Sequence, residues 1–97
     1  MKSIENQPFV MQGRVVVRRI GTDTLLVPVS GPAAGGRVYP VNATAECAWG
    51  CLSKGGTPAQ AAARVETQFE VDGKKALSDC VAFASELIEQ RLIEQAG

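Results

Sequence analysis

Val38–Trp49, VYPVNATAECAW, is the stretch that decides how this chain is read. It holds a short strand ending at Val41, a helix cap at Asn42 and an apolar helix carrying Trp49. An Asn side chain can accept a bond from a first-turn N–H, and a strand running straight into a helix needs such a residue at the junction. The chain ahead of this junction reads as sheet, and the chain behind it as helix.

Working back from Val38, RVVVRRI (Arg14–Ile20) is β-branched and bounded by Gly13 and Gly21, which predicts a strand. Gly21-Thr22-Asp23 is turn-like, and TLLVPVS (Thr24–Ser30) predicts a second strand with Leu25, Val27 and Val29 on one face. Pro28 lies on the other face and cannot donate to a ladder, so a bulge or a strand end is expected there. GPAAGG (Gly31–Gly36) reads as a hairpin connection, and Arg37–Val41 as the third strand. Three strands in such short succession imply an antiparallel meander, because a parallel return needs a long crossover. Residues 1–8 read as a loose entry arm.

Working forward, the first helix is expected over Ala43–Leu52, stopped by Ser53-Lys54-Gly55-Gly56. Thr57-Pro58 starts the second with a hydroxyl cap and a first-turn proline, and Ala61, Ala62, Val65 and Phe69 follow at helical spacing. Asp72-Gly73 breaks it and begins a third helix. There Leu77, Cys80, Val81, Ala84, Leu87, Ile88 and Leu92 form one apolar stripe. The expected fold class is therefore α+β: a small winged helix-turn-helix, with a three-stranded antiparallel sheet followed by three helices. Residues 1–12 are expected as an N-terminal arm and 13–97 as one domain.

The 97 residues allow a single modest core, and a composition of 45 % hydrophobic and 21 % charged residues suits a globular chain. Ten basic and ten acidic residues cancel, leaving no electrostatic footprint for nucleic acid or anionic lipid. Met1-Lys2-Ser3 is followed by polar IENQ rather than an apolar signal core, and no run is long enough to span a bilayer. These features point to the cytoplasm and to no membrane partner.

The chain has no histidine, which removes the commonest acid–base residue and metal ligand together. Cys47 and Cys51 share a helix face, and with Cys80 they make three thiols. A structural zinc site wants four ligands, and the odd count argues against a disulfide framework. All three read as small core side chains, and Lys54 stands where a radical-SAM cluster would need a third cysteine. Gly31–Arg37 loosely resembles a phosphate loop but leads into a strand without the required lysine. Arg14, Arg18 and Arg19 read as a solvated strand face rather than a site for acidic side chains, since Arg18 and Arg19 point to opposite faces. DNA recognition is disfavoured, because the second helix offers only Arg64, Gln60 and Gln68 against Glu66, and the third is acid-rich. No cofactor or metal is expected, and no nucleophile–base pair can be assembled. Trp49 and Phe69 are expected in the core. Phe83 falls at the edge of the third-helix stripe, toward Asp79 and Glu86, where it either caps the core or lines a groove.

With these residues in view, the chain resembles the PqqD family, named for pyrroloquinoline quinone biosynthesis protein D. The resemblance runs from about Gly13 to Gln95 through TLLVPVSG, VYPVNATAECAW, GGTPAQAAARV and SDCVAFASELIEQRLIE. It implies a winged helix-turn-helix that serves as a recognition element for ribosomally made precursor peptides. The leader peptide adds as a strand to the third strand and lies against the third helix. The domain then presents it to a modifying enzyme, often a radical-SAM maturase, which for this chain is expected to act in trans. Carried over, the peptide-binding strand is Arg37, Val38, Tyr39, Pro40 and Val41. The helix wall is the flank bearing Lys75, Asp79, Phe83 and Glu86, with the flank through Ser78 and Ser85 as the alternative. Val41-Asn42 stands where the family usually has Leu-Asn, and Pro40 removes one backbone donor from the docking strand.

The function expected is thus a non-catalytic peptide-binding chaperone. The alternatives are a structural adaptor or self-associating interaction domain, forming a homodimer through its sheet edge, and a winged-helix DNA-binding regulator.

Overall fold

A computed structural model describes residues 4–96; the first three residues of the N-terminal arm and the last residue of the expected domain lie outside them. The elements are β1 (Phe9–Met11), β2 (Val15–Ile20), β3 (Asp23–Pro28), β4 (Tyr39–Val41), α1 (Ala43–Leu52), α2 (Pro58–Phe69), α3 (Gly73–Glu89) and β5 (Ile93–Gln95). This is a small α+β fold, with an antiparallel sheet in the order β2-β3-β4 and three helices. A separate two-stranded pair, β1–β5, is also present.

The hairpin β2–β3 closes on a two-residue turn between paired Ile20 and Asp23, with Gly21 at φ 63°. Glycine accepts that angle without a side-chain clash, which suits a tight hairpin. Thr24, Leu26 and Pro28 face the core, so the buried face of β3 is opposite to the one carrying Leu25, Val27 and Val29. Pro28 ends the strand, where no ladder donor is required. β4 is shorter than the expected Arg37–Val41. Gly35 and Gly36 both hold positive φ, and the chain becomes regular strand only at Tyr39.

The junction at Asn42 forms as its sequence dictates. The Asn42 side-chain oxygen accepts from the Ala45 N–H at 2.8 Å, capping α1 immediately after β4. Across the sheet, Glu46 of α1 takes a charged bond from Arg19 of β2 at 2.5 Å, and Thr24 donates to its other oxygen at 3.4 Å. α1 ends with the Gly56 N–H on the Cys51 carbonyl and the Gly55 N–H on Leu52, a reversal that Gly55 makes at φ 92°. Thr57 and Gln60 then cap α2 reciprocally, each side chain bonding the other's backbone N–H.

α3 departs from its expected length. It stops at Glu89, and the Leu92 N–H bonds the Leu87 carbonyl at 2.9 Å while the Arg91 N–H bonds Ile88 at 3.0 Å. This is the two-bond reversal that normally uses glycine, here made by Arg91 at φ 63°. Leu92 therefore lies beyond the helix rather than on its stripe, buried against the core together with Leu87. The buried face of α3 is Ala76, Cys80, Ala84 and Leu87, with Leu77, Val81 and Ile88 half-buried at its side. α3 lies chiefly against α2, whose buried positions Ala61, Ala62 and Val65 are also small.

Past the reversal, β5 returns beside β1, with Met11 opposite Ile93. The sequence reading left Phe9–Met11 inside the N-terminal arm and ran the last helical stripe to Leu92, with no strand expected after it. Yet Phe9, Leu92 and Ile93 are among the largest fully buried side chains, each contributing about 2 kcal/mol by its removal from water. Trp49 is buried, as expected. Phe69 is not: at 37 % exposure it sits on the last turn of α2, just before Glu70 turns left-handed at φ 51° and carries the chain off.

Candidate functional site

Among the described residues β4 has one neighbour, β3, so no described strand pairs with its other edge. The register decides what that edge presents. Tyr39 pairs with Leu26, Pro40 with Leu25 and Val41 with Thr24. Antiparallel pairs alternate between residues that exchange both backbone bonds and residues whose polar groups point away. Pro40 has no N–H, so Tyr39 and Val41 are the bonded positions and Pro40 is the outward one. The free edge therefore offers the Pro40 carbonyl without a donor. Val38 lies one residue ahead of the ladder; a strand extended to it would turn its N–H and C=O to that side.

Beside this edge, a groove runs between β4, the start of α1 and one flank of α3. It consists of two adjoining cavities of about 450 and 190 Å³ that share Asn42, Ala45 and Phe83. Lys75, Asp79 and Phe83 line the larger, where Ala48, Val65 and Val71 make the floor apolar. Tyr39, Pro40, Val41, Phe83 and Glu86 line the smaller. The α3 residues recur at three- and four-residue spacing, which places them in one row along the helix. Phe83 stands where the two cavities meet and also packs against the core, so it fits both of its sequence readings.

Two of the proposed strand residues are not brought into this groove. Arg37 lines a third cavity, of about 300 Å³, with Glu89 and Arg91, and Val38 is 47 % exposed ahead of β4. Ser78 and Ser85, on the alternative flank, are exposed and line neither groove cavity. Sequence reasoning missed Leu26, Leu92 and Gln90, which line the smaller cavity. Gln90 was findable, since it lies four residues beyond Glu86 on the same flank. The Tyr39 hydroxyl donates to Gln90 Oε1 at 3.5 Å, tying the edge strand to the end of α3.

The charges along the groove are unevenly matched. Lys75 bonds Asp79 one turn on at 3.3 Å. The Glu86 carboxylate has no ion pair or hydrogen bond among the described residues. Cys80 reaches the larger cavity from below, and burial, reinforced by the neighbouring Asp79 carboxylate and the other thiols, pushes its pKa up to about 11. Burial likewise raises Cys51. Such thiols stay protonated at neutral pH and are poor nucleophiles. Among the described residues, no group of three Cys, Asp or Glu side chains is placed to hold a metal ion. No described helix is long and apolar enough to cross a membrane.

A family model described as Coenzyme PQQ synthesis protein D (PqqD) matches residues 23–93, from the start of β3 to the first residue of β5. That span takes in every groove residue. No curated protein and no solved structure matches the chain.

Proposed function

The chain belongs to the PqqD family, and from that premise we propose that it is a non-catalytic peptide-binding chaperone of a ribosomal peptide modification pathway. It captures the leader of a precursor peptide as a further strand on β4 and presents the peptide to a modifying enzyme of the radical-SAM kind. The observation that carries this reading is the free edge of β4 lying beside an apolar groove walled by α3. An unpaired strand edge accepts another strand through its backbone groups, while side-chain pockets alongside it supply selectivity.

In this reading α1 and α2, joined across Gly55, form a helix-turn-helix, and the β2–β4 sheet is its wing. The protein works in the cytoplasm, where precursor peptides are made. Self-association through the same edge is the rival use of β4. Pro40 weighs against it, because two such edges facing each other each lack a donor.

The test is a tagged pull-down from the native host's lysate, read by mass spectrometry that retains short peptides. Recovery of a short peptide together with a maturase supports delivery. Recovery of DNA, or of one large protein without a short peptide, contradicts it. Replacing Val38 by Pro removes an N–H from an exposed position directly ahead of β4, so a folded Val38→Pro chain is expected to bind the recovered peptide less tightly.

A further inference from the structure

The smaller cavity is lined by Leu26, Val41, Phe83, Leu87 and other apolar or neutral groups, and Glu86 is its one carboxylate. No cation lines it. The nearest lysine along the same flank, Lys75, lies in the larger cavity and is already bonded to Asp79. Arg37 and Arg91 line the neighbouring cavity beyond Gln90, together with Glu89. The groove thus carries one unpaired carboxylate, that of the exposed Glu86, at the rim of a cavity lined by both apolar and neutral polar groups.

From this we infer that the occupant of the groove is a peptide bearing a lysine or arginine seated against Glu86, an inference that rests on the strand-addition reading. A strand laid along β4 turns alternate side chains toward α3. One of them fills the apolar larger cavity beside Phe83. The basic residue must point the same way to reach Glu86, so an even number of positions separates it from that apolar anchor. The aliphatic stem of Lys or Arg packs on Phe83 and Leu87 while its charged end meets the carboxylate. An acidic side chain at that position meets Glu86 with like charge, which discriminates against wrong partners.

The probe is a displayed library of random twelve-residue peptides, selected on the intact chain and on its Glu86→Gln, Glu86→Lys and Glu89→Gln variants. The expected result is enrichment of Lys or Arg at one position an even number of residues from a large apolar residue. Affinity of an enriched peptide should fall about two- to fivefold in Glu86→Gln, the range for an exposed ion pair. Selection on Glu86→Lys should turn to Asp or Glu at the same position, and Glu89→Gln should leave it unchanged. Enriched peptides that lose binding in Phe83→Asp, yet show no basic position and are indifferent to Glu86→Lys, would overturn the inference while leaving strand addition intact. Failure to enrich any peptide over an unrelated control protein would overturn strand addition and the inference with it.

Discussion

Pro40 stands opposite Leu25 at the position in the β3–β4 ladder where neither residue bonds across the pair. The proline thus costs the sheet no internal hydrogen bond. What it removes is a donor from the outer edge, the side on which a further strand would dock. The chain keeps an open edge and weakens it at one point.

Replacing Pro40 by Ala restores that donor. Peptide affinity is expected to rise about fivefold, corresponding to the ~1 kcal/mol net worth of one backbone hydrogen bond. Calorimetric titration with the captured peptide checks this. Light scattering across concentration should show increased self-association, since the same donor serves a second copy. Unchanged behaviour in both would mean that the edge is not used.

Arg91 holds φ 63°, an angle at which a side chain's Cβ crowds the following carbonyl. Arg91→Gly relieves that crowding and is expected to stabilise the fold by about 1 kcal/mol, read as a higher urea midpoint at unchanged slope. Arg91→Ala keeps the Cβ and should not reproduce the gain.

Cys80 supplies a pH dependence. Its pKa in the folded chain is about 11 against an ordinary 9.0, so between those values the unfolded chain loses the thiol proton first. The folded state then binds more protons, and stability falls as pH rises. The contribution is complete below pH 9 and lost on passing through 11. Denaturation midpoints of the native chain should drop more steeply across that window than those of Cys80→Ala, and the two should run parallel below it.

Much of the fold was legible because it rests on local signals. The Asn42 cap, the Gly55 stop and the Thr57-Pro58 start each satisfy backbone groups that a helix end leaves unpaired, and their residue types show it. The end of α3 was not legible. Its reversal is made by Arg91, where only glycine would have signalled it, so Leu92 kept the helical period and read as helix. Without that reversal, β5 and its pairing with β1 could not be foreseen, because three-residue strands carry too few residues for a period. Phe69 misled for a related reason: periodicity gives a helix face, while the turn at Glu70 decides which part of that face is covered. In the candidate groove, the flank through Lys75, Asp79, Phe83 and Glu86 followed from the position of Phe83 on the helix wheel. Leu26 and Leu92 joined it only through the tertiary fold, and the burden of Pro40 became clear only from the register.

Central to this account is the free edge of β4 as the place where a peptide strand adds. Amide hydrogen exchange at Val38, with and without the captured peptide, tests it most directly. Val38 is 47 % exposed one residue ahead of the ladder, and in a strand extended to it by the added peptide its N–H would face away from β3. Strong slowing of its exchange when peptide is added, with β2 amides unchanged, is the predicted result. Unaltered exchange at Val38 in a saturated complex, with protection along β2 or the exposed face of α2 instead, would contradict the claim.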